Sequence, residues 1–191
     1  RKLLMPEANN YQKYCDMVLP YIYLEDQEIL KVDPLVAEES LRKGIIGFKE
    51  IVAENPKNWA ALWMIGKAYQ ALKEDEESYQ AFLSAHKIKL IEENIMRELA
   101  VECIHTKRFD LAVYYCQAAA ECNPDDYTLL ANVAVAKLFQ QKLDDAEHWA
   151  NKCLKKLPND EASLRILSIS KEIREGTRSF PTELNEELEK L

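Results

Sequence analysis

Apolar residues recur in phase along this chain from residue 55 to residue 158, at an interval of about 34 residues. One offset of the interval holds a large apolar side chain in every copy: Leu62, Met96, Leu130 and Leu164. A second offset, three residues later, does the same: Ile65, Leu99, Val133 and Leu167. This spacing places both sets on one helical face. The pattern therefore predicts a repeated helical unit with a buried core.

Small residues recur at three further offsets and indicate where two helices approach closely. They are Gly66, Ala100, Ala134 and Ser168, then Ser78, Ala112 and Ala146, and then Ala85, Ala119 and Cys153. One unit is therefore a helix pair. The pattern predicts helices near Asn58–Leu72, Glu76–Lys89, Glu92–Thr106, Asp110–Cys122, Asp126–Gln140, Asp144–Lys156 and Asp160–Glu175. We expect Asp110 and Asp144 to cap helix starts, and Gly176 to end the closing helix.

The segment before the repeats is rich in tyrosine, and Pro20 is expected to break its helix. Gly44 and Phe48 then match the small and aromatic offsets of a second helix, whose matching first helix would run into Asp33-Pro34. The predicted organisation is an N-terminal helical extension or cap (1–35), a degenerate first repeat (36–58), repeats at 59–92, 93–126 and 127–160, a closing helix (161–176) and an acidic tail (177–191).

The tail carries Leu184, Leu188 and Leu191 at spacings of four and three, so a helix there would have one apolar stripe. Acidic residues surround these leucines. One hypothesis is that the tail occupies a groove of its own or a neighbouring molecule, with its acids near Lys67, Arg97 or Arg165. The alternative is a frayed end, or a helix packed on the closing helix through Ile169 and Ile173.

The repeat resembles the tetratricopeptide repeat, whose pattern is W-x2-L-G-x2-Y, then A-x3-F, then P. The best copy matches this pattern at Leu62, Ile65, Gly66, Tyr69, Ser78, Phe82 and Leu90. The next two copies keep the small and large offsets but lose aromatics. The resemblance implies an all-α, right-handed superhelical solenoid of antiparallel helix pairs, acting as a scaffold or adaptor. Such folds serve many unrelated partners, so the fold does not name the ligand.

By this resemblance, the first helices line a concave groove that binds segments of partner proteins. The groove positions are Trp63, Met64, Lys67, Arg97, Glu98, Val101, Asn132, Val135, Phe139 and Arg165. The apolar ones would anchor a ligand, and Lys67, Arg97 and Arg165 would hold carboxylates. The alternative is that several are buried between neighbouring repeats. Some members of this family bind the C-termini of chaperones through a clamp that holds two carboxylates. Only Asn132 matches a residue of that clamp, and Arg97 roughly mimics a second one.

The acidic composition narrows the class of partner. The net charge is −8 and the pI is near 5.1, which argues against nucleic acid or an anionic membrane as the main partner. A basic or mixed peptide suits this charge better. No apolar run approaches a membrane span, and no signal peptide is recognisable. Because the sequence begins at Arg1, we expect that a preceding segment was trimmed.

Catalytic and metal chemistry have no recognisable carrier in the sequence. The five cysteines form no C-x-x-C pair, and their odd number fits reduced thiols and a cytoplasmic location. The three histidines are scattered, and no phosphate-binding glycine loop or nucleophile elbow is present. We therefore expect no enzyme activity, no cofactor and no metal.

Three functional hypotheses follow from the sequence. The first is a non-catalytic module that binds a peptide or helix of another protein. The second is a secretion-type chaperone that keeps a client protein soluble, since the chain is small and acidic with about three repeats. The third is an interaction domain cut from a larger protein. A homodimer through the N-terminal helix or the tail is a further expectation.

Overall fold

The computed structural model describes residues 6–24 and 29–184. These residues form helices and connecting turns without strands, which confirms the all-α prediction. The chain divides into two compact units, unit 1 (Arg1–Leu90) and unit 2 (Ile91–Leu191).

Unit 1 contains α1 (Pro6–Val18), a 3-10 turn (Leu19–Tyr21), α2 (Pro34–Glu54), α3 (Trp59–Ala71) and α4 (Asp75–Ile88). Each helix packs on the next, and α1 also contacts α3. The helix α1, from the predicted N-terminal extension, therefore pairs with α2 as its first helix. The connection between α1 and α2 is longer than the connections within the regular repeats. Its apolar side chains join the core of the unit through Val18 and Ile22.

Glycines in unit 1 mark the closest approaches between paired helices. A Cβ added at Gly66 in α3 would lie 2.6 Å from Cε1 of Phe82 in α4. Gly44 in α2 faces Val18, and Gly47 faces the ring of Tyr14, with no room for a methyl group at either glycine. The absence of a side chain at these positions lets the neighbouring aromatic or valine fill the space between helices.

Unit 2 contains α5 (Glu93–His105), α6 (Phe109–Cys122), α7 (Thr128–Phe139), α8 (Leu143–Leu154) and α9 (Glu161–Arg174). The helices α5 and α6 form one antiparallel pair, and α7 and α8 form another. The helix α9 packs on both α8 and α7. Because α7 also contacts α5, it lies between two other first helices and is buried on most of its surface.

The register predicted from the small residues is confirmed in three helix pairs. Their second-helix positions are all buried: Ser78, Ala112, Ala146, Ala85, Ala119 and Cys153. The hydroxyl of Ser78 also donates a hydrogen bond of 3.1 Å to the carbonyl oxygen of Gly66. The prediction is wrong for the closing helix, where Leu164 is 48% exposed and Ser168 is exposed. Among the residues described, no second helix follows α9 to cover them.

The predicted helix caps at Asp110 and Asp144 are also wrong. The helices α6 and α8 begin one residue earlier, so both carboxylates lie inside the first turn and bind side chains of other helices. Both still interact favourably with the helix dipole. The observed side-chain caps are Asp33, Asn58 and Asp160, which accept hydrogen bonds from backbone amides of α2, α3 and α9.

Each first helix of the three complete pairs ends in the same left-handed turn. The residues with positive φ are Lys73 (58°), Lys107 (60°) and Gln141 (61°), which recur at the repeat interval. In each turn two successive amides bond back to the last helical carbonyls, as in a Schellman motif. Gly176 (φ 73°) ends α9 in the same way, which confirms the predicted stop.

We predict that Lys73→Gly stabilises unit 1, because lysine is strained at a positive φ that glycine adopts freely. The expected gain is roughly 0.5–1 kcal/mol in the free energy of unfolding, measured with urea. Lys73→Ala is the matched control, since it removes the charge and keeps the strain, and it should leave stability nearly unchanged. Equal stabilisation by both variants would contradict the role assigned to the turn.

Candidate functional site

The candidate site is the set of first-helix positions that the resemblance places in a groove. Three of them, Trp63, Met64 and Lys67, lie on α3 in unit 1. The other seven lie on α5, α7 and α9 in unit 2. Unit 1 therefore holds one set of three predicted positions, and unit 2 holds a set of seven.

In unit 1, two of the three predicted groove positions are buried by packing within the unit. Met64 is buried, and Lys67 is only 2% exposed. The ammonium of Lys67 donates to Oε1 of Gln70 at 2.7 Å and lies 5.9 Å from the centre of the Trp63 ring. Trp63 is half-buried, and its indole nitrogen has no hydrogen-bond partner among the described residues. Lys67 is thus fixed within the unit rather than extended towards a ligand.

In unit 2, Arg97 belongs to an ion-pair network. Its Nη2 lies 2.5 Å from Oε1 of Glu93 and 3.0 Å from Oδ2 of Asp126. The second oxygen of Glu93 accepts a hydrogen bond of 2.8 Å from the side-chain amide of Asn123. The network ties the first turn of α5 to the connection between α6 and α7. Arg97 therefore already holds carboxylates, but they belong to its own chain.

The helix α7 uses its predicted apolar anchors for packing. Val135 is buried, and Phe139 is 1% exposed. The Phe139 ring stacks on Phe109 of α6, with ring centres 5.7 Å apart and an interplanar angle of 25°. Neither side chain offers surface to a ligand as the structure places it. The alternative prediction from the sequence for these positions is burial between repeats. Both side chains are buried in the structure.

Besides Arg97, four predicted positions in unit 2 keep accessible surface: Glu98, Val101, Asn132 and Arg165. All four are half-buried. They lie on α5, α7 and α9, and α7 contacts both of the other helices. His105, in the last turn of α5, is half-buried as well. The four predicted positions are therefore mixed, with one aliphatic side chain, Val101, among polar and charged groups.

Two polar features were missed from the sequence. Glu102 is fully buried, although the equivalent residues of the neighbouring repeats are Ala68 and Ala136. A glutamate at an offset that holds alanine in both neighbouring repeats is the signal in the sequence that could have identified Glu102. The pairing of Arg97 with Asp126 joins residues far apart in sequence and leaves no such signal.

The part of the chain that the structure describes, residues 6–24 and 29–184, bears on three other kinds of site. No group of three His, Cys, Asp or Glu side chains in this part of the chain is placed to hold a metal ion. No helix in the same ranges is long and apolar enough to cross a membrane. A recess of about 60 Å³ in unit 1 is lined by Tyr11, Tyr14, Glu50 and Glu54, among others. It has room for about two water molecules.

Comparison with known proteins identifies the fold. No family model matches the sequence, and no curated protein matches it significantly. Among solved structures, the chain is similar to YrrB, described as a TPR protein with an unusual peptide-binding site, at 14% identity and a TM-score of 0.65, over 97% of this chain and 88% of that one.

Two further structures have similar folds. A MamA fragment from Desulfovibrio magneticus RS-1 has a TM-score of 0.71 at 14% identity, over 91% of this chain and 88% of that one. PilW, a type IV pilus biogenesis factor, has a TM-score of 0.64 at 16% identity, over 90% and 70%. These likenesses confirm the tetratricopeptide-repeat fold predicted from the sequence.

The thiols form part of the core rather than a reactive site. Of the five cysteines, Cys122 is exposed and the other four are buried. The pKa of Cys103 is raised to about 12, mainly by burial, with Arg108 opposing the rise and the nearby Glu102 adding to it. Burial also raises the pKa of Cys116 to about 12, with a contribution from Cys103. These two thiols stay protonated and unreactive in the folded protein.

We predict that stability falls as pH rises above about 9, the ordinary pKa of a thiol. Above this pH the unfolded chain releases protons that the folded core retains, so the unfolded state is favoured. Each buried thiol contributes up to about 1.4 kcal/mol per pH unit until its folded pKa is reached. Urea unfolding between pH 8 and 10 measures the slope.

Two variants separate this effect from other titrations. Cys116→Ala should reduce the slope, and Cys122→Ser, at an exposed cysteine, is the matched control. A slope that is the same in all three proteins would contradict the assignment to buried thiols.

Proposed function

We propose that this chain, whose fold is that of the tetratricopeptide-repeat proteins, is a non-catalytic module that binds a segment of a partner protein on the first-helix surface of unit 2. The observation that carries the proposal is the half-buried set at Glu98, Val101, Asn132 and Arg165, on adjacent helices. Side chains that are neither fully packed nor fully solvated on a rigid helical surface are suited to contact a ligand.

The chemistry of this surface defines the kind of partner. Val101 offers a small apolar contact, and Asn132 can both donate and accept hydrogen bonds. Glu98 and Arg165 provide one charge of each sign. In unit 2 the predicted apolar anchors Val135 and Phe139 are buried in the core, so affinity there would come from polar and small apolar contacts. A peptide of mixed or basic character fits this surface and the acidic chain best.

The other functional hypotheses receive no separate support. A chaperone role rests only on chain size and charge, and a larger parent protein rests only on the first residue of the sequence. The cytoplasmic location and the homodimer remain predictions. The helix α1, one of the two expected dimer contacts, packs its apolar side chains against α2 and α3.

We predict that Val101→Glu combined with Asn132→Ala weakens partner binding at least tenfold while the melting temperature stays close to that of the parent. The partner is first identified by capture on the immobilised chain and mass spectrometry, and its affinity is then measured by calorimetry. Tyr114→Ala is the control, because Tyr114 is 60% exposed on the second helix α6. Lys67→Glu or Arg97→Glu would disturb internal contacts and is unsuitable.

The opposite pattern would refute the site. If the double variant binds the partner with full affinity and Tyr114→Ala does not, the binding surface lies on the second helices.

A further inference from the structure

The chain after α9 turns back on its own helix. Residues 177–184 have no regular secondary structure. The hydroxyl of Thr177 donates to the carbonyl oxygen of Glu172 at 3.0 Å. The guanidinium of Arg178 lies 3.3 Å from Oε2 of the same glutamate. These contacts fix the direction in which the segment leaves Gly176.

The far end of this segment lies at the turn after α5. Oε1 of Glu183 is 3.9 Å from Nζ of Lys107. Both side chains are well exposed, so the ion pair adds little stability, but it locates the segment. The helix α7 contacts both α5 and α9. Because packed helix axes lie about 8–10 Å apart, α9 is separated from α5 by about two such distances. Seven residues in extended form span about 23 Å, enough to reach from Gly176 to Lys107 past the end of α7.

Burial within the segment shows that one side of it rests on the protein. Arg178, Phe180, Pro181 and Leu184 are half-buried, whereas Thr177, Ser179, Thr182 and Glu183 are exposed. Side chains of an extended chain point alternately to opposite sides, which explains the first part of this pattern. A loose terminal segment would expose both sides equally.

The sequence hypothesis for the tail is therefore revised. The part that the structure describes is not helical, and Glu183 approaches Lys107 rather than Lys67, Arg97 or Arg165. Leu188 and Leu191 lie outside the described residues. We propose that the ends of α5, α7 and α9 in unit 2 form a docking edge for an extended segment, and that residues 177–184, the strap, occupy it.

The strap also defines the kind of foreign segment that this edge fits. It presents an aromatic residue, Phe180, with a carboxylate, Glu183, three residues later. A partner segment of mixed charge, with an apolar side chain followed by an acid, would place that acid at Lys107 and compete with the strap. This competition rests on the proposed function of unit 2, whereas the docking of the strap does not.

The test uses the full-length chain labelled with ¹⁵N and compares its amide spectrum with that of Phe180→Ala. Releasing the strap should shift the amides of Thr106–Phe109 and Phe139–Lys142, which border the docking edge. Ser179→Ala is the matched control, because Ser179 is exposed in the same segment, and it should leave these amides unshifted. Unshifted amides in Phe180→Ala would overturn the proposal.

A second step tests whether the edge is a docking surface for a separate segment. A synthetic peptide of residues 177–184 is added to the Phe180→Ala chain at millimolar concentration, comparable to the local concentration of a tethered segment. The shifted amides should move back towards their positions in the parent. The same peptide with Phe180→Ala should not restore them. If neither peptide restores them, the strap contact is only internal packing and the docking edge is refuted.

A charge exchange tests the position of the acid. At low ionic strength, peptide carrying Glu183→Lys should bind up to about fivefold more weakly to the Phe180→Ala chain, since the pair is exposed, and adding Lys107→Glu to that chain should recover the binding. Equal binding of both peptides to both chains would place Glu183 elsewhere. None of these readouts requires the protein partner, so failure of the strap and failure of the proposed function are distinguishable.

Discussion

Close approach of paired helices at small residues is the constraint on which this structure depends. A Cβ added at Gly66 would clash with the ring of Phe82, and the small residues Ala112 and Ala119 of α6 are buried. A single helix pair cannot bury its apolar face alone, so each pair also relies on the next helix. The same offsets recur with the repeat, and with them recur the left-handed turns that reverse the chain after each first helix.

This packing decides what remains for binding. The helix α7 contacts α5, α6, α8 and α9, and two apolar positions predicted for the groove, Val135 and Phe139, are buried on that helix. The guanidinium of Arg97 likewise forms ion pairs with Glu93 and Asp126 of the same chain. What stays accessible in unit 2 is a mixed surface of half-buried side chains. A module with this surface would recognise partners by complementary polar groups more than by deep apolar pockets.

The sequence predicted the helices close to their observed bounds because buried positions recur at fixed offsets, and apolar or small residues recur at the same offsets in the sequence. It could not show that α1 pairs with α2, since the long connection between them breaks the interval. It misplaced the caps because the cap residue of α6 is Arg108, two residues before Asp110, which puts Asp110 in the first turn. Among the candidate site residues it could not separate surface from core, because the burial of Lys67, Val135 and Phe139 depends on contacts between elements.

The most direct test of the account places a charge at one of the recurring small positions. Ala119 is 1% exposed in α6, and Tyr114 of the same helix is 60% exposed. The account predicts that Ala119→Glu lowers the free energy of unfolding by several kcal/mol in urea, on the order of 3 or more, whereas Tyr114→Glu changes it little. Equal stability of Ala119→Glu and the parent would contradict the register and the packing derived from it.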